Sequence, residues 1–122
     1  MNVQASNYVH AKCYMPPIEI KHGYKGDLWS NHEINIKNET GHIETYHIVY
    51  YNEVTGLSGA PAQEFDVTLV NDQIYNDSRK FGTKVKYNQK GRYDTKAITY
   101  AIRKSDNNQM DYCESHNVLT IS

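Results

Sequence analysis

Residues 83–102 read Thr-Lys-Val-Lys-Tyr-Asn-Gln-Lys-Gly-Arg-Tyr-Asp-Thr-Lys-Ala-Ile-Thr-Tyr-Ala-Ile, and the alternation inside this stretch decides the fold class. In an extended segment Val85 and Tyr87 fall on one face and Lys84 and Lys86 on the other, a period of two. Asn88, Gln89, Lys90 and Gly91 supply turn chemistry before a second β-rich run begins. The stretch therefore reads as strand, turn, strand.

The same period appears on both sides of it. In residues 8–15, Val9, Ala11, Cys13 and Met15 share one face, with Tyr8, His10, Lys12 and Tyr14 opposite. Pro16 and Pro17 cannot donate to a ladder, which marks this first strand as an edge. Ile18 and Ile20 restart the alternation briefly, and the glycines of residues 22–27 make a loop. Leu28 and Trp29 stand at the mouth of the next strand, which carries Ile34 and Ile36 inward, and residues 38–41 read as a turn. Residues 42–51 form the longest β-rich run, with apolar side chains at both parities, as expected of a central strand covered on both faces. Residues 52–64, with Gly56, Gly59 and Pro61, read as a mobile surface loop. Phe65, Val67 and Leu69 mark another strand, residues 71–82 a polar connection, and Cys113, Leu119 and Ile121 share a parity in the last segment. No helical period is sustained over 11 residues. One domain spanning residues 1–122 is expected, an all-β antiparallel sandwich of seven to eight short strands.

Composition narrows the function classes. Thirteen basic and 14 acidic side chains give a formal charge of −1, a balance that does not obviously supply a basic face, which disfavours nucleic acid or an anionic membrane surface as partner. No apolar window approaches the ~20 residues of a spanning helix, so no membrane insertion is expected. Eleven Tyr stand against 2 Phe and 1 Trp, so nearly all the aromatic material carries a hydroxyl, which suits half-buried sheet faces and contact surfaces. Cys13 and Cys113 are the 2 cysteines. In an exported chain they pair and close a loop of about 100 residues, and in a cytosolic one they stay reduced. On the strength of the cysteines alone we read the chain as secreted or periplasmic, and, because the first residues lack the basic, apolar, small-residue order of a signal peptide, with any leader already removed.

The run Asn88-Gln-Lys-Gly-Arg-Tyr93 resembles the Gly-x-Tyr corner of immunoglobulin-like domains, where a Tyr near the start of the penultimate strand hydrogen-bonds back to the preceding connection. Residues 34–51 are similar to the second strand, turn and third strand of bacterial immunoglobulin-like and fibronectin-type modules. The resemblance covers roughly residues 34–121 and implies an immunoglobulin-like β-sandwich. It also implies that the first strand's second half runs parallel beside the last strand. A Cys13–Cys113 bridge would then lock the chain ends together and would not be the inter-sheet bridge of antibodies. It implies too that Tyr93, Ile98, Tyr100 and Ile102 reach the core only with a bulge between Tyr93 and Ile98.

Catalytic signatures are scarce. Six histidines, at 10, 22, 32, 42, 47 and 116, invite a metal reading, but His42 and His47 are five apart and point to opposite faces of a strand. Cys113 and His116 face opposite sides as well, and there is no nucleophile elbow, P-loop, dinucleotide fingerprint or calcium loop. Asn38-Glu-Thr40 and Asn76-Asp-Ser78 match the glycosylation acceptor pattern in predicted turns. The leading reading is a non-enzymatic binding or structural module with no cofactor, meeting a protein or glycan partner through Tyr24 and Trp29 on the glycine loop, with the Gly56-to-Ala62 loop as a second site. The alternative is a small hydrolase or metal-handling protein whose site is assembled from His and carboxylate groups on separate strands.

Overall fold

Alternation is realised along nearly the whole chain. A computed structural model gives residues 6–57 and 62–122 as two β-sheets, with no helix among them. The strands are β1 (Ser6–Tyr14), β2 (Ile18–Ile20), β3 (Asp27–Glu39), β4 (Glu44–Val54), β5 (Gln63–Leu69), β6 (Ile74–Lys84), β7 (Gly91–Arg103) and β8 (Asn108–Ile121). One sheet has the order β1-β3-β6 and the other β2-β8-β7-β4-β5. All pairings are antiparallel except β2 with β8, which run parallel with Ile18 opposite Leu119. The five-stranded sheet curls toward a half-barrel.

The core lies between the two inner faces. Ala11, Ile34 and Ile36 of the smaller sheet meet Tyr46, Ile48, Tyr50, Leu69 and Ala101 of the larger, and Met15, Leu28, Val54, Ala97, Leu119 and Ile121 fill the other end. Within this apolar layer sits a polar knot. His32 is 1% exposed, its Nδ1 is 2.8 Å from Thr99 Oγ1 and its Nε2 3.0 Å from Asn52 Oδ1, while the Ser30 hydroxyl donates to Asn52 Oδ1 at 2.5 Å. Tyr50 stacks on the imidazole at 5.1 Å. Burial lowers the His32 pKa against the lifting effect of its bonds to Asn52 and to the Ile98 backbone, so the ring is held neutral.

Each seam between the sheets has its own closure. On one side β1 faces β8 at a constant offset of 100 residues: Asp111 accepts from the Ala11 N–H (2.8 Å), Cys113 is disulfide-bonded to Cys13, and Ser115 accepts from the Met15 N–H (3.0 Å). The outward backbone groups of an edge strand are thereby satisfied by side chains rather than by another strand. On the other side Arg79 points inward from β6, donates to Asp77 at 2.7 Å, and lies 5.3 and 4.7 Å from the centres of the Tyr50 and Phe65 rings. Tyr50 donates to the same carboxylate at 2.6 Å. Burial alone would push the Asp77 carboxyl up, but the Arg79 and Tyr50 bonds outweigh it and hold the carboxyl below its ordinary value.

Several expectations are corrected. The first strand does run parallel beside the last, at that constant offset, but the two do not pair: β1 pairs with β3 while β8 belongs to the other sheet, so the Cys13–Cys113 bridge crosses the seam instead of lying within a sheet. Residues 74–82, expected as a polar connection, are strand, since the inward side of β6 carries the mutually neutralising Asp77 and Arg79 between Tyr75 and Phe81. Residues 85–90 are no hairpin turn but the crossing from one sheet to the other. On β7 the inward residues are the small ones, Thr95, Ala97, Thr99 and Ala101, which leave room for Tyr46, Tyr50 and His32; Ile98 lies on the opposite parity, and the register shift falls at Ala101/Ile102. Tyr93 donates to Gln89 O at 2.8 Å. Asn38 and Asn76 lie in strands rather than turns, and the Asn38 amide is buried and donates to His42 O and Leu69 O.

Candidate contact surface

The surface around Trp29 follows from one glycine. On β6 the outward row is Ser78, Lys80, Gly82 and Lys84, and Gly82 is opposite Trp29 in the ladder with β3. The indole lies across the backbone that this glycine leaves bare. A Cβ at Gly82 would come within 2.9 Å of Asp27 Oδ2 and of Trp29 Cζ3. Covering a strand glycine with a cross-strand aromatic is a recurrent packing solution, yet 51% of Trp29 remains exposed. Lys80 and Lys84 stand two residues to either side of the gap, at roughly 6–7 Å along the strand. Trp29 is thus within β3 itself and not on the glycine loop.

Tyr24 extends the strip. It is 49% exposed, its ring folds over Gly26, and it is tied to the crossing segment by the Tyr24–Tyr87 bridge and by the Gly23 N–H, which donates to Tyr87 O at 2.6 Å. Gly23 needs its freedom there, with φ at +80°. Tyr87 is buried, and that burial, with Tyr24 and Asp27 nearby, pushes its phenol up to about 12. Residues 23–27 and 84–88 enclose a cleft of about 500 Å³. Lys25, Lys84 and Lys86 line it against one acid, Asp27, and none of the three lysines joins an ion pair among the described residues. Open ring faces beside uncommitted ammonium groups can stack on a flat apolar group and neutralise an anionic one.

A second hollow lies on the outer face of the five-stranded sheet. Val49 and Ile98, which are neighbours on the central strands, are nearly buried there, and Tyr51, Tyr100 and Tyr112 surround them in a cleft of about 430 Å³. Tyr100 and Tyr112 stack at 6.1 Å. Glu64 lines the hollow, and Glu114, hydrogen-bonded by Tyr112 at 2.5 Å, stands beside it.

The histidines do not converge. His10 lies 3.8 Å from Asp111, His42 3.3 Å from Glu44, and His116 2.5 Å from Glu114. His47 comes nearest to a built site, with Nε2 3.0 Å from Glu64 and Nδ1 2.6 Å from Asp66. Both carboxylates raise its pKa, Glu64 first, and between them they engage both ring nitrogens. Among the described residues no three His, Cys, Asp or Glu side chains are placed to hold a metal ion. Of the Gly56-to-Ala62 loop, residues 58–61 lie outside the described residues. The reading of the sequence missed the lysines flanking Trp29 and the tyrosine hollow. The alternation Lys80-Phe-Gly82-Thr-Lys84-Val-Lys86 carried the first signal, once continued back past Thr83. No protein-family model matches the chain, and no curated protein matches it.

Proposed function

We propose that this chain is an exported, non-enzymatic binding module of immunoglobulin-like build, which engages an acidic protein or glycan partner through the strip of Tyr24, Trp29, Lys80, Lys84 and Lys86. The observation that carries it is the half-exposed Trp29 ring laid over Gly82 between two lysines. Exposed Trp beside cations is the composition of interface anchors rather than of ordinary surface. Support for the immunoglobulin-like reading comes from the strand order, with the first strand split between both sheets, and from the Tyr93 hydroxyl bonded back to Gln89 O. Support for export comes from the disulfide.

The test is a glycan array and a displayed library of extracellular protein fragments, each probed with the wild-type chain and with the Tyr24→Ala/Trp29→Ala double variant. Circular dichroism confirms that the variant folds. Ligands that lose at least tenfold in affinity on the double substitution support the reading. Ligands that bind both chains equally, or their complete absence from both panels, overturn it.

A further inference from the structure

We infer that the tyrosine hollow on the outer face of the five-stranded sheet receives the Trp29 strip of a second copy of this chain, so that molecules join head to tail. This rests on the reading of the strip as a contact surface and names its partner. The strip presents Lys80 and Lys84 to either side of an exposed indole, with Lys86 in the adjoining cleft. The hollow offers an apolar floor of Val49 and Ile98, a volume of about 430 Å³ that exceeds an indole, and an acidic margin of Glu64 and Glu114, each shared with one histidine, His47 and His116.

Charge decides which faces can meet. Two strips would set lysines against lysines, and two hollows would set carboxylates against carboxylates. Strip against hollow is the pairing in which the signs agree. The two surfaces lie on the outward faces of different sheets, so one molecule cannot satisfy both within itself. The contact is therefore heterologous and propagates instead of closing as a two-fold dimer.

Sedimentation velocity on the full chain tests this. The expected result is a weight-average mass that keeps rising with protein concentration past that of a dimer, and an association weakened at least tenfold when salt rises from about 0.05 to 0.5 M. Trp29→Ala disables the strip and Tyr112→Lys disables the hollow. Each variant alone should remain monomeric, while an equimolar mixture should form one-to-one pairs and nothing larger, through the intact strip of one and the intact hollow of the other. A wild-type chain that stays monomeric, a mass that plateaus at a dimer, or growth that persists in Trp29→Ala overturns the inference. The binding panels can still succeed in any of those cases, so the two proposals fail separately.

Discussion

Replacing Cys13 and Cys113 together with alanine removes the covalent tie across the β1/β8 seam. The two residues are 100 apart in sequence, with Cα atoms 5.9 Å from one another. Closing a loop of that length restricts the unfolded chain by an amount worth about 4.7 kcal/mol at 25 °C in the chain-entropy description. The rungs on either side remain, Asp111 to the Ala11 N–H and Ser115 to the Met15 N–H. At about 1 kcal/mol each they cannot compensate for the loss. Against a total stability of ~5–15 kcal/mol, the variant should lose about 3–5 kcal/mol. The assay is guanidinium unfolding followed by circular dichroism. The midpoint falls, and the slope steepens because the uncrosslinked unfolded chain exposes more surface. Thiol titration of the wild-type chain, unfolded without reductant, should give none. A loss below about 1 kcal/mol, or two thiols per unfolded wild-type chain, would refute the reasoning.

Acid should weaken the fold through His32. Its folded pKa lies below the ordinary value, so its contribution is complete above about pH 6.5 and is lost as pH falls toward the folded pKa, at no more than about 1.4 kcal/mol per pH unit. Urea midpoints measured across that range should slope less in His32→Gln. His47 acts with the opposite sign, because its raised pKa gives stability that is present below about pH 6.5 and lost as pH rises through the folded value, and His47→Gln removes that loss. Tyr50→Phe leaves Asp77 with Arg79 alone and should cost about 1.5–3 kcal/mol in denaturant unfolding, the worth of a hydrogen bond to a charged group. Gly82→Ala should change stability by less than about 1 kcal/mol, as the gain in strand propensity offsets the displaced ring. It should nonetheless shift the indole emission, because the new Cβ would lie 2.9 Å from Trp29 Cζ3.

Where one face of a strand is uniformly apolar, the alternation was legible. β1, β2, β5 and the end of β8 lie where Val9, Ile18, Phe65 and Leu119 place them. β6 was hidden because its inward side carries Asp77 and Arg79, which are tolerated there only because they neutralise each other between Tyr50 and Phe65. β7 was read inside out. Its bulky Ile98 and Tyr100 belong to the outer hollow, and the inner face needs Ala and Thr so that Tyr46, Tyr50 and His32 can fit across from it. The exposed aromatics were legible at Tyr24 and Trp29 because no other Trp competes for the role. Lys84 and Lys86 were legible as one face of an alternating segment, but their place beside Trp29 was not, because Lys80 and Gly82 fall in residues 71–82, where the polar sequence reads as a connection.

The reading of a Trp29-centred contact surface meets its most direct test in acrylamide quenching of the fluorescence of this single tryptophan, measured on the native chain at low concentration. Red-shifted emission that acrylamide reaches on the native chain to an intermediate degree, moving only slightly further to the red on unfolding, is the expected result, since about half of Trp29 is exposed and the rest lies on Gly82. Blue-shifted emission that acrylamide reaches only after unfolding would contradict it.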